Sequence, residues 1–384
     1  MQTINTVLGL GGSLAFTIAA FLFVLTIVVF FHELGHFLAA RWCGVKVQAF
    51  SIGFGREIFG FHDKHGTRWR FAWIPLGGYV KFMDDENAAS VPSQETIRNM
   101  TSEERAGSFH AKPLWQRAFV VAAGPLANFI LAIVIFTGLF SIVGHRFTAA
   151  LVDEIVVGSA AQEAGFRIGD KIVEIDGGAI ETFGDMQRII GVNADQKLQI
   201  VVEREGQRVT LTAVPKRDES VDRFGNKMRR GLLGVKRSPG GAQDWEMRRY
   251  NPVAAVGQAV KETWFIVTTT MSYLKNIIIG RESADQLSGP IGIAKVSGQM
   301  ASLGWTALIH LCAVLSVSIG LLNLFPVPML DGGHLMFYGI EAVRQRPLSE
   351  RTQEIGFRIG LALVLMLMVF ATRNDLREWW QKFL

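Results

Sequence analysis

The sequence predicts an α-helical polytopic membrane protein: four transmembrane helices with a membrane-associated β-region, joined to a β-rich domain outside the cytoplasm. Three observations carry that prediction. Of the 384 residues, 49% are hydrophobic and only 19% charged, the profile of a membrane protein carrying a soluble part. The apolar residues gather into four long runs, each close to the roughly 20 residues a helix needs to cross a bilayer. Lysines and arginines collect in the loops after the first and third runs, the asymmetry that marks cytoplasmic loops.

Residues 14–31 carry no charge, and the first run reaches Arg41 interrupted only by His32-Glu33-Leu34-Gly35-His36. As a helix it is about 40 Å long, enough to cross a hydrocarbon core of about 30 Å. A cleaved signal peptide is disfavoured, because residues 1–13 hold no Lys or Arg and no small-x-small site closes the run. Residues 46–83 read as short strands broken at Gly53-Phe54-Gly55, and 84–108 as a polar, mobile loop. Runs at 119–143, 307–325 and 355–371 supply the other spans. Between spans two and three, 150–215 has β composition, with a turn at Asp176-Gly177 and a hairpin around Arg204-Glu205-Gly206-Gln207. Residues 216–242 read as a linker apart from a strand-like 231–235. A helix with Pro252 in its first turn runs towards Ile279, either lying on the external membrane face or buried in the folded part.

The chain thus divides into a first span (1–41), a cytoplasmic loop with the β-region (42–117), span two (118–144), an external domain and linker (145–242), an external amphipathic segment (243–302), span three (303–340), a cytoplasmic loop (341–354), and span four with the tail (355–384). Arg41, Lys46, Arg56, Lys64, Arg68, Arg70, Lys112, Arg117, Arg344, Arg346 and Arg351 set this orientation against Arg373, Arg377 and Lys382 in the tail. Cys43 and Cys312, the only cysteines, both fall outside the external domain, so no disulfide framework is expected. The net charge of +5 follows from the inside-facing loops, and no basic stripe with interleaved aromatics suggests nucleic-acid binding.

On a helix, His32 and His36 share a face and can offer imidazole nitrogens to one ion, with Glu33 placed to take a proton from water. Zinc suits this set: it binds imidazole, tolerates an open position and lowers the pKa of bound water to about 7. Three ionisable residues at membrane depth cost about 2.5–3.5 kcal/mol each on insertion scales, so a compensating role is required. Metal binding supplies one; a polar helix-packing cluster is the alternative. The third ligand is best sought where Pro326, Pro328, Gly332 and Gly333 break span three, since non-helical backbone at depth is tolerated only in protein or along a cavity. Asp331 lies in that break, and His334 and Cys43 compete with it.

The pentapeptide from His32 to His36 and the Asn-x-x-Pro-x-x-x-x-Asp-Gly pattern from Asn323 to Gly332 resemble the site-2 proteases, intramembrane zinc metalloproteases. Phe50-Ser-Ile-Gly-Phe-Gly55, Ile74-Pro-Leu-Gly-Gly-Tyr-Val-Lys81, Ala123-Gly-Pro-Leu-Ala-Asn128 and Leu287-Ser-Gly-Pro-Ile-Gly-Ile-Ala294 are similar to stretches typical of the bacterial members that regulate sigma-E. Gly158-Ser-Ala-Ala161, Ala164-Gly-Phe166 and the stretch from Gly169 to Gly177 resemble a PDZ domain of the bacterial protease type, which binds peptide ends along a sheet edge. Where the best-known members carry two tandem PDZ domains, this chain has room for one.

The resemblance implies one Zn2+ held by His32, His36 and Asp331, with Glu33 as general base. Asn323, Pro326 and Pro328 would help hold the substrate, and Gly53, Phe54 and Gly55 would belong to a re-entrant β-structure whose edge pairs with it. It further implies a bacterial inner-membrane enzyme, active site towards the cytoplasm and PDZ domain in the periplasm, that cuts transmembrane segments in regulated intramembrane proteolysis. Its partners would be the lipid bilayer and a transmembrane substrate, such as an anti-sigma factor of the envelope stress response after first-site cleavage, or a remnant signal peptide. A non-catalytic scaffold whose PDZ domain captures peptide ends, or a zinc transporter, are the competing readings; zinc content and metal flux discriminate them.

Overall fold

The computed structural model describes residues 2–83, 100–221, 227–237, 246–281, 284 and 287–380. Residues 84–99 of the polar loop expected at 84–108 therefore lie outside the described residues. The chain forms two compact units: Met1–Thr137 with Val256–Val267 and Ser283–Leu384, and Gly138–Ala255 with Thr268–Glu282.

The first unit begins with helix α1 (Gln2–Trp42), whose stretch Leu14–Trp42 is long and apolar enough to cross a membrane. Two long strands follow, β1 (Val47–His62) and β2 (Arg68–Phe82), where short broken ones are predicted. The expected break survives as a bend: Gly53 and Gly55 take φ of 90° and 87°, conformations open to glycine. The ribbon folds over there, so Phe50–Ile52 pairs both with Gly78–Val80 and with Trp69–Phe71. Phe50 anchors this ribbon on α1: fully buried, its ring lies 4.4 Å from Trp69, 5.4 Å from Phe37 and 5.8 Å from Phe30. At the far turn Asp63 accepts hydrogen bonds from the backbone of His65 and Thr67 and pairs with Arg41 at 3.0 Å.

Part of the expected loop is helical. Thr101 and Glu104 form a capping box that starts α2 (Ser102–Gly107), a local hydrogen-bond signal in a stretch too polar to show periodicity. Helix α3 (Leu114–Gly138) continues through one π-turn, Leu139–Val143, and forms the second candidate span.

In the second unit β3 (His145–Phe147) and β4 (Glu154–Ile155) precede the short helix α4 (Ala160–Glu163). At the start of the stretch of β composition, residues 151–157 form only β4 and an isolated bridge at Leu151. Then come β5 (Lys171–Ile175), β6 (Gly178–Ala179), helix α5 (Phe183–Val192), β7 (Leu198–Arg204) and β8 (Gln207–Ala213), giving a sheet in the order β6-β5-β7-β8. Both predicted turns are present: Asp176 and Gly177 reach φ of 47° and 81°, Glu205 and Gly206 reach 52° and 79°. Val152, Ile172, Ile200, Val202 and Leu233 are almost fully buried in its core.

Residues 216–221, 227–232 and 235–236 of the expected linker are strands. They hold the hairpin β9 (Lys216–Val221) and β10 (Lys227–Leu232), then β11 (Val235–Lys236), which pairs with β4. A further strand, β12 (Glu246–Arg248), pairs with β3. Helix α6 (Pro252–Ile278) starts as predicted, with the Asn251 side chain accepting from Ala254 N–H. One face of it is buried at Ala255 and Ala259, while Val253, Trp264 and Ile278 are exposed.

Back in the first unit, α7 (Pro290–Ser302) is followed by α8 (Trp305–Asn323), α9 (Asp331–Arg344) and α10 (Glu350–Trp380). Trp305–Asn323 and Glu350–Arg377 bring the candidate spans among the described residues to four. Asp375 on α10 is buried and accepts the backbone N–H groups of Gly289 and Gly292 at 3.1 and 2.9 Å, satisfying donors at the start of α7. Val24 and Val28 of α1 pack on Leu308 and Cys312 of α8. The predicted interruption of span three falls at 324–330; Asp331, Gly332 and Gly333 open α9 rather than lie within the break.

Candidate metal centre

His32 and His36 stand one turn apart near the end of α1, with Nε2 atoms 3.3 Å apart. Asp331, the first residue of α9, closes the triangle: Oδ2 lies 3.2 Å from Nε2 of His32 and Oδ1 lies 3.5 Å from Nε2 of His36. Four ligands placed tetrahedrally about 2.0–2.1 Å from zinc are about 3.3 Å from one another, so these three spacings, two of them to different oxygens of Asp331, are compatible with such a shell. The electrostatics agree. Asp331 Oδ2 is buried without a hydrogen-bond donor, and a cation amid the three groups would satisfy it. Among the described residues this is the one group of His, Cys, Asp and Glu side chains close enough to share an ion.

Helix α3 sets the pose of the histidines. Nδ1 of His36 donates to the carbonyl oxygen of Val120 at 2.9 Å, which leaves Nε2 bare and turned to the centre. Gly124 lies under that ring, where any Cβ would strike the imidazole, and Gly35 meets the backbone of Ala123 in the same way. Asn128 reaches Nδ1 of His32 at 3.3 Å. Val120, Gly124 and Asn128 are not legible as site residues; the stretch Ala123-Gly-Pro-Leu-Ala-Asn128 is the one trace of Gly124 and Asn128, and nothing in the sequence marks Val120.

Glu33 sits on α1 under β2. A Cβ on Gly78 would lie 3.1 Å from Glu33 Cγ, so that glycine lets the strand run directly over the carboxylate side chain. The other expected residues fall in two places. Asn323 ends α8, and Pro326 and Pro328 lie in the 324–330 connection, which backs onto Gly332 and Gly333 at the start of α9. Gly53, Phe54 and Gly55 contact β2: Phe54 pairs with Ile74, and its ring stacks on Tyr79 with centroids 6.2 Å apart. His334 turns its ring towards Phe357 at 5.1 Å, and Cys43 packs in the cluster around Phe37, so neither joins the triad.

The fold and this site together define a membrane metalloprotease. A model of peptidase family M50 matches residues 20–367, and the chain belongs to that family, the site-2 proteases. It is 51% identical over 364 residues, covering 95% of this chain and 97% of the other, to a candidate zinc metalloprotease of Rhizobium meliloti (strain 1021). A candidate zinc metalloprotease of Agrobacterium fabrum (strain C58 / ATCC 33970) is 50% identical, with 97% and 98% covered. The metalloprotease MmpA of Caulobacter vibrioides is 43% identical, with 94% and 96% covered. The protein is a metalloprotease, and its cofactor is Zn2+.

Proposed function

We propose that this protein is an intramembrane endopeptidase in which His32, His36 and Asp331 bind the zinc and Glu33 is the general base. The triangle of three side chains with zinc-like spacings, supplied by a candidate span and by the helix that follows another, is the observation that carries the reading. Bound zinc supplies an acidified water and a Lewis acid for the scissile carbonyl. Glu33 then takes the proton of the attacking water and passes it to the leaving amide nitrogen.

A transmembrane substrate hides its carbonyls in helical hydrogen bonds and must unwind to be cut. Strand β2, passing over Glu33 at Gly78, offers a sheet edge for the unwound segment, with the bend at Gly53, Phe54 and Gly55 shaping the ribbon. Asn323, Pro326 and Pro328 would hold its other side. In this reading the enzyme sits in a bacterial inner membrane with the site towards the cytoplasm. The second unit is a periplasmic PDZ domain that takes peptide ends. The substrates are single-span proteins already trimmed outside, such as an anti-sigma factor in an envelope stress response, or leftover signal peptides.

The experiment compares membrane peptides that accumulate in cells carrying wild-type or Glu33→Gln protein. The variant is expected to keep stoichiometric zinc and to accumulate uncut transmembrane stubs. Turnover retained by Glu33→Gln would refute the assignment of the base.

A further inference from the structure

The two histidines are held from behind by one helix. Val120, Gly124 and Asn128 are four residues apart and so share a face of α3; Val120 and Gly124 serve His36, and Asn128 serves His32. For His36 the arrangement is unambiguous, because a backbone carbonyl can only accept and Nδ1 must carry the proton. For His32 it depends on which way the Asn128 amide points, and an amide's nitrogen and oxygen are assigned from the hydrogen-bond network.

With Nδ2 towards the ring, the amide donates to Nδ1 and the imidazole proton sits on Nε2, the atom facing Asp331 and His36. Asn128 is fully buried, and in this orientation its Oδ1 has no hydrogen-bond partner. Turning the amide by half a rotation lets Oδ1 accept Nδ1–H of His32 and leaves Nε2 bare, with Nδ2 then standing where the oxygen stood. The residue has no room to settle elsewhere. Its backbone oxygen accepts Ser316 Oγ–H at 2.8 Å, and Gly320 of α8 packs so closely that an added Cβ would lie 3.1 Å from Asn128 Cβ.

We propose that Asn128 is a positioning residue whose side-chain oxygen holds His32 in the Nδ1–H form, so that both imidazoles present a bare Nε2 to the metal. This rests on the reading of His32, His36 and Asp331 as zinc ligands. Buried acceptors of this kind behind ligating histidines are worth about 10–100-fold in metal affinity.

The test uses the full chain in detergent, with zinc affinity measured by chelator competition and site geometry by the visible spectrum of the cobalt-substituted protein. Asn128→Leu keeps the volume and loses the acceptor; Asn128→Asp keeps an acceptor. The leucine variant is expected to bind zinc about 10–100-fold more weakly with an altered cobalt spectrum, and the aspartate variant within about threefold of wild type with the spectrum retained. The proposal fails if the leucine variant binds as wild type does. It fails equally if both variants lose zinc and both melt earlier in EDTA, since that is a packing role. A His32→Ala protein with wild-type zinc affinity would overturn the ligand assignment itself, independently of Asn128.

Discussion

A methyl group added at Gly124 would occupy the space of the His36 imidazole. Alanine suits a helix better than glycine does, so Gly124→Ala leaves α3 intact and moves the cost onto the site. The expected outcome is unchanged helicity by circular dichroism with zinc bound about 10–100-fold more weakly. The histidines and Glu33 of the proposed site stand out in the sequence because their side chains can carry the chemistry, and Asp331 because prolines mark the break beside it. Gly124 does not, since its contribution is an absence of atoms that only the crossing of α1 and α3 makes meaningful. Val120 was invisible for a different reason: it acts through its backbone carbonyl, which every residue has.

Elements were legible where apolar residues set a period. The four spans were, to within a few residues at each end. The hairpin of β9 and β10 was not, because Lys216-Arg-Asp-Glu opens a strand with charges and sets Asp218 opposite Arg230, a cross-strand pairing that hydrophobic alternation does not report. Charge also fixes the base of the β5–β7 sheet. Asp170 is 1% exposed, and Arg204 grips it through Nε at 2.7 Å and Nη2 at 2.8 Å. Burial alone would raise its pKa, but the hydrogen bonds from Arg204 and the Arg167 backbone outweigh that and hold the carboxyl below the usual aspartate value. As pH falls the unfolded chain therefore takes up this proton first. The stabilisation is complete above the unfolded pKa of about 3.9 and is lost as pH drops through the lower folded value. Hydrogen exchange at Lys171–Ile175 in the full chain is expected to quicken as pH is lowered through that range, after correction for intrinsic rates, and Asp170→Asn should flatten the response.

For the whole molecule, the proposed orientation makes opposite claims about two exposed turns: Lys64, between β1 and β2, in the cytoplasm, and Glu205, between β7 and β8, outside. In a background lacking Cys43, a membrane-impermeant maleimide should label Glu205→Cys in spheroplasts and Lys64→Cys only after permeabilisation. The reverse pattern would sink the assigned topology. Composition and charge made the architecture readable at this scale, whereas the fold-back of the β1–β2 ribbon was hidden, since it depends on two glycine bends and on what packs against Phe50.

The site is split between distant parts of the sequence: two of its groups lie within the first forty residues, and the third about 300 residues later. Metal bound there would tie the ends of a very long loop, removing unfolded-state entropy in the manner of a cross-link. The same separation sets a schedule for biosynthesis. A nascent chain holding only α1 offers zinc two ligands, and Asp331 leaves the ribosome when most of the protein has been made and its earlier spans inserted. A protease confined to the bilayer, among neighbouring helices of its own chain, would on this account stay unarmed until it is nearly complete.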